Sequence, residues 1–268
     1  MIRLATIVSC LASLICVTGP AFAASTDWVE TEGGRLRLVT AGAPDEQGRL
    51  IGALDIELKP GWKTYWRDPG DAGVPPTIEI TASTNIARAD FEFPAPQRQD
   101  DGYSKWAGYA QPIALPVTFQ LASPQEPALI KAEIFLGICQ SICIPVSARL
   151  TLDPANDPTS AEDAELVSAA VKALPEAARA DFGAVLVEKG EDRLMVEAKF
   201  TGDPNSADFF IAGIDGYSFA TPERLSKDGK TLFSVEILNR PTDVPAGDGI
   251  PYTLVTPAGA VSGTLPYM

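Results

Sequence analysis

A chain of 268 residues with 46% hydrophobic side chains can bury one large or two modest cores, and its net charge of −14 argues against nucleic acid and anionic lipid surfaces as partners. Histidine is absent, which removes Ser/His/Asp and Cys/His catalysis, histidine-based zinc sites and haem attachment through a C-x-x-C-H motif. No glycine-rich phosphate loop stands in their place: Gly33-Gly34 and Gly213-x-x-Gly216 lack a following helix pattern and read as turns.

At the N-terminus Arg3 precedes the apolar run Leu4 to Val17, and Ala21-Phe22-Ala23 supplies the small-x-small pattern of a signal-peptidase site. Residues 1–23 are therefore expected to direct export and to be removed, taking Cys10 and Cys16 with them. The run is too short to be preferred as a membrane anchor, and no later segment approaches the roughly 20 apolar residues that span a bilayer. Export to the periplasm leaves Cys139 and Cys143 as the cysteines of the mature chain.

From residue 24 to 153 the pattern is that of short strands: Arg35 to Thr40, Leu50 to Leu58, Thr77 to Ile80, Ala89 to Phe93, Ile113 to Leu121, Leu129 to Cys139 and Ala148 to Leu152. Leu54, Ile56 and Leu58 alternate with Asp55 and Glu57, the period-two signature of a half-buried strand. Proline and glycine punctuate the runs at Pro60-Gly61, Pro69-Gly70, Pro75-Pro76 and Pro94-x-Pro96, and many short strands with such turns predict a β-sandwich. A polar stretch from Asp153 to Pro158 then opens a linker, residues 154–181. Thr159 or Ser160 caps a helix with Glu162 and Asp163 in its first turn. Leu166, Val167, Ala170, Val171 and Leu174 fall on one helical face, suited to packing on a neighbouring domain, and Pro175 stops the helix. Residues 182–268 return to strands at Ala184 to Val187, Leu194 to Phe200, Phe209 to Ile214, Leu232 to Leu238 and Tyr252 to Thr264. The expected fold is all-β: a sandwich, a short helical linker and a second, smaller all-β domain that acts as a spacer or docking unit.

The chemistry falls to Leu136-Gly137-Ile138-Cys139-Gln140-Ser141-Ile142-Cys143-Ile144-Pro145. Were residues 139–143 extended, their outer Cα atoms would stand roughly 13 Å apart, beyond the limit of about 7 Å for a disulfide. A strand, turn, strand arrangement is needed to close the pair. Three uses are open to it. A structural disulfide is common in exported proteins, yet a ring this small contributes only about 2 kcal/mol in the loop-entropy account. A chain of this size can bury a core without such a staple, which shifts weight toward redox use. Two thiolates could instead hold a soft ion such as Cu(I), whereas zinc would need further ligands that no histidine or cysteine supplies. The redox use requires no cofactor and no metal. In sequence the basic residues nearest the pair are Lys131 and Arg149, so no charge visible in the chain favours a thiolate.

The order Leu58-Lys59-Pro60-Gly61-Trp62-Lys63-Thr64-Tyr65-Trp66-Arg67, then Asp100-Asp101-Gly102-Tyr103, then Leu115-Pro116-Val117, then the cysteine pair followed by Ile144-Pro145, resembles the N-terminal periplasmic domain of the DsbD and ScsB disulfide reductases. It covers roughly residues 28–152, and more loosely the ScsB type through residue 268. The resemblance implies an immunoglobulin-like β-sandwich that is reduced by a membrane-embedded DsbD/CcdA-like donor in a separate chain. That sandwich would in turn reduce periplasmic thioredoxin-fold or other disulfide-bearing clients. It further implies that Cys143 forms the mixed disulfides and Cys139 resolves them, that Asp100, Asp101, Tyr103 and Trp106 belong to a cap loop over the pair, and that Tyr65 is an aromatic residue near the cysteines. Two features differ: three residues separate these cysteines where the best-known member has five, and Gly102 falls where that cap carries phenylalanine. Tyr103 or Trp106 would then cover the pair.

Overall fold

The computed structural model describes residues 23–70, 73–100, 105–155, 161–227 and 229–267. Residues 1–22 of the predicted export segment, with Cys10 and Cys16, the cap residues Asp101 and Tyr103, and the helix caps Thr159 and Ser160 lie outside the described residues. In chain order the first half runs β1 (Ala23–Ser25), β2 (Val29–Glu30), β3 (Gly34–Ala41), β4 (Arg49–Leu58), β5 (Thr64–Tyr65), β6 (Thr77–Glu79), β7 (Ile86–Phe91), β8 (Gln97–Asp100), β9 (Lys105–Tyr109), β10 (Ile113–Leu121), β11 (Ile130–Cys139) and β12 (Cys143–Leu152). Helix α1 (Ala161–Lys172) follows, then β13 (Glu176–Ala177), β14 (Gly183–Lys189), β15 (Arg193–Lys199), β16 (Asp208–Ile211), β17 (Ser218–Phe219), β18 (Glu223–Lys227), β19 (Lys230–Asn239), β20 (Ile250–Thr256) and β21 (Gly259–Leu265). No helix among the described residues is long and apolar enough to cross a membrane.

The first sandwich places a sheet in the order β1-β3-β4-β10-β7, with β2 on β3, against the small sheet β12-β11-β6. Alternation makes the core: Leu36 and Leu38 of β3, Leu50, Leu54 and Ile56 of β4, and Leu115, Val117 and Phe119 of β10 meet Ile130, Ile134 and Leu136 of β11. Strand β4 is also covered on its other face. There Val39, Ala53 and the partly buried Ile51 and Ala114 take Val167 and Ala170 of α1. The helix therefore docks on the first sandwich. Its predicted face is only partly used, since Val171 stays exposed. Asp163, read in the sequence as a first-turn acid, is buried and joins Arg37 at 3.1 Å, while Arg37 also reaches Asp55 at 3.1 Å.

The second domain pairs sheets β13-β21-β20-β16 and β14-β15-β19-β17, with β18 on β19. Phe209, Phe233 and Tyr252 stack at its centre. Strand β16 and the residue after it belong to two cores at once: Phe209 and Ile211 point into the second domain, whereas Phe210 and Ala212 pack in the core of the first sandwich. The predicted run Tyr252 to Thr264 is two strands, β20 and β21, joined through Pro257-Ala258.

Strand β12 begins five residues before the predicted Ala148. Both backbone groups of Cys139 bond to Lys63, at 2.9 Å each. The Cys139–Cys143 pair is therefore of the non-hydrogen-bonded kind, and alternate residues of β12 turn their backbone groups to the free edge. Pro145 falls on such an edge-facing position, where its missing N–H costs no ladder bond.

Candidate functional site

The hairpin β11–β12 makes the closure that the spacing requires. Cys139 and Cys143 are register partners across the loop Gln140-Ser141-Ile142, the Gln140 amide donates to the Ile142 carbonyl at 3.0 Å, and the two sulfurs are joined with Cα atoms 4.0 Å apart. Their surroundings differ sharply. Cys139 is 1% exposed, whereas Cys143 faces solvent beside the 70% exposed Ile142.

Strand β5 walls the buried side. Its entry residue Lys63 forms the bridge to Cys139, and the buried Thr64 hydroxyl donates to the Gly137 carbonyl at 2.9 Å. The next side chain, Tyr65, is buried, and its hydroxyl lies 3.1 Å from both sulfurs, donating to Cys139. Strand β9 pairs with β5 in one sheet, Tyr65 opposite Gly108. A side chain at Gly108 would bring its Cβ within 2.3 Å of the Thr64 carbonyl oxygen, so only glycine permits this approach. The indole of Trp106 meets the Tyr65 ring edge-on, 5.9 Å between centroids at 80°, and Lys63 Nζ sits 4.3 Å above the indole. Tyr65, Trp106 and Cys139 thus share one small buried cluster. The site offers a sulfur open to attack, a second sulfur shielded from it, and a hydroxyl that can donate to whichever sulfur bears negative charge.

The structure brings Cys139, Cys143, Tyr65 and Trp106 together. Trp106 is a buried strand residue of β9 and backs Tyr65, and Asp100 stands exposed at the end of β8, opposite Lys105 in the register. Lys131 and Arg149, the basic residues nearest in sequence, pair with Thr151 and Glu133 across β11 and β12, far along the hairpin from the disulfide. Sequence reading did not single out Lys63 or Thr64 individually. Both lie inside the motif Leu58 to Arg67, but nothing in their spacing signals a bridge to Cys139.

Two comparisons bear on this arrangement. Residues 38–155 match the family model described as thiol:disulfide interchange protein DsbD, N-terminal. The crystal structure of the N-terminal periplasmic domain of ScsB from Proteus mirabilis is similar in fold, with a TM-score of 0.72 at 19% identity, covering 91% of this chain and 99% of that one. No curated protein matches the chain.

Proposed function

We propose, from the match of residues 38–155 to the family model of the DsbD N-terminal domain, that this protein relays reducing equivalents in the periplasm through Cys139 and Cys143. The donor is a membrane-embedded protein of the DsbD/CcdA kind, and the clients are thioredoxin-fold or other disulfide-bearing proteins. The observation that carries the reading is the asymmetry of the pair: Cys143 is open to solvent while Cys139 is 1% exposed beneath the Tyr65 hydroxyl.

In the oxidised protein a donor thiolate attacks Sγ of Cys143, the S–S bond breaks, and Cys139 leaves as a thiolate that accepts the hydrogen bond from Tyr65. The donor's second thiolate attacks the donor sulfur of the mixed disulfide and releases Cys143. After uptake of two protons the pair is a dithiol and the donor holds the disulfide. In the second half the Cys143 thiolate attacks a client disulfide and expels one client sulfur. The Cys139 thiolate then attacks Sγ of Cys143, the second client sulfur leaves, and the internal bond reforms. Two electrons and two protons have passed to the client.

The roles are tested by trapping. Cys139→Ala should accumulate mixed disulfides with donor or client through Cys143, and Cys143→Ala should accumulate none, as read on non-reducing gels and by mass spectrometry. Trapping that survives loss of Cys143 and depends on Cys139 would reverse the assignment.

A further inference from the structure

We infer that Arg98, through the second domain, is a positioning residue for the thiol pair: it anchors the β8–β9 hairpin so that Trp106 holds the Tyr65 hydroxyl on the sulfurs. The inference rests on the thiol-exchange reading above and adds to it a task for the second domain.

Strands β5, β9 and β8 form a separate sheet in which β5 contributes two residues and β8 is the outer strand. So small a ladder has little stability of its own. The outer strand is held instead by the second domain. From β8, Arg98 places Nε 3.0 and 3.2 Å from the two carboxylate oxygens of Asp208, donates through Nη2 to the Phe209 carbonyl at 2.8 Å, and lies 4.5 Å over the Phe210 ring. The guanidinium side chain is 22% exposed, so these charge-assisted bonds are partly removed from water. Phe210 is itself fixed in the first core, 5.8 Å from the Trp66 ring, and the Asp68 carboxylate accepts the Gly213 amide at 2.7 Å.

The connection from this anchor to the sulfurs is short. Arg98 pairs with Ala107, the neighbour of Trp106, and Gln99 pairs with Trp106 itself. Ala107 accepts from the Trp66 amide at 3.1 Å and donates to the Pro69 carbonyl at 3.0 Å, which ties β9 to the residue beside Tyr65. Trp106 then meets Tyr65, whose hydroxyl lies 3.1 Å from each sulfur. A hydrogen bond to the charged form favours it, so the placement of this hydroxyl sets how readily a thiolate forms.

The experiment uses the full reduced protein and reads the midpoint of its alkylation rate against pH with iodoacetamide, a quantity that follows thiolate population rather than access. Tyr65→Phe should raise the midpoint, reducing the thiolate fraction at neutral pH about tenfold. Arg98→Met should move it in the same direction by about threefold, and Asp208→Asn, which keeps the bond to the Phe209 carbonyl, by less. In the Tyr65→Phe background Arg98→Met should add almost nothing, because both act through one hydroxyl. A midpoint unmoved by Arg98→Met while the melting temperature falls would make Arg98 a domain clamp only and overturn the inference. Full additivity of the two substitutions would overturn it as well. The readout needs no partner protein, so failure of the relay in trapping experiments is distinct from failure of this inference.

Discussion

Two tyrosines show how the same side chain does different work in different surroundings. Tyr65 puts its hydroxyl on the sulfurs and its ring on Trp106, so its polar end meets the disulfide and its body packs against an indole. Tyr109 is 6% exposed, and its hydroxyl donates to the Pro94 carbonyl at 2.8 Å. Burial raises its pKa well above the ordinary value, with Arg67 opposing only in part. Its proton is therefore kept in the fold after it would be lost from the unfolded chain. The stability this confers is complete below about pH 10 and is lost as pH rises further. Urea midpoints measured at pH 8 and pH 11 should fall steeply for the native protein and less so for Tyr109→Phe. Part of the slope remains because burial also raises Tyr252. Equal slopes for the two proteins would show that Tyr109 ionises without penalty.

At the scale of elements, α1 is joined to the sheet by two kinds of contact: the small side chains Val167 and Ala170 on Val39 and Ala53, and the ion pair from Asp163 to Arg37. Asp163→Ala should cost about 2 kcal/mol, because Asp55 still partners Arg37 and spares it the full penalty of an unpaired buried charge. Denaturant titration would check this, and a change below about 0.5 kcal/mol would place the attachment in the apolar contacts alone. The long strands and the helix were readable in the sequence because one face of each is apolar at a fixed period, as in Leu50, Leu54 and Ile56 of β4. The hairpin β8–β9 was not readable. Gln97-Arg98-Gln99-Asp100 has no apolar alternation, since its outer contacts are a carboxylate and a carbonyl of the second domain. For the same reason the cysteine pair was legible from the chain, whereas its backing by Lys63, Thr64 and Trp106 depended on strands whose partners lie far away in sequence.

Across the whole molecule, the disulfide is placed where it adds little to the fold. The residues it joins already face each other in a hairpin whose ten pairs run from Ile130–Leu152 to Cys139–Cys143. Beneath that hairpin lies an apolar core shared by both sheets of the first sandwich and by Phe210 from the second domain. A bond across a three-residue loop removes little freedom from the unfolded chain, about 2 kcal/mol in the entropy account. A core of this size supplies cohesion independently of it. A redox relay requires this separation, because the bond must break and reform in each cycle without the sandwich opening. Reduction of the pair should therefore lower the thermal midpoint by a few degrees and leave near- and far-ultraviolet circular dichroism at room temperature unchanged, apart from the disulfide's own signal. The dithiol should return to the disulfide on addition of oxidised glutathione, with the original midpoint restored. A reduced protein that is unfolded at room temperature would mean that the bond is a structural staple, and the relay would fail with it.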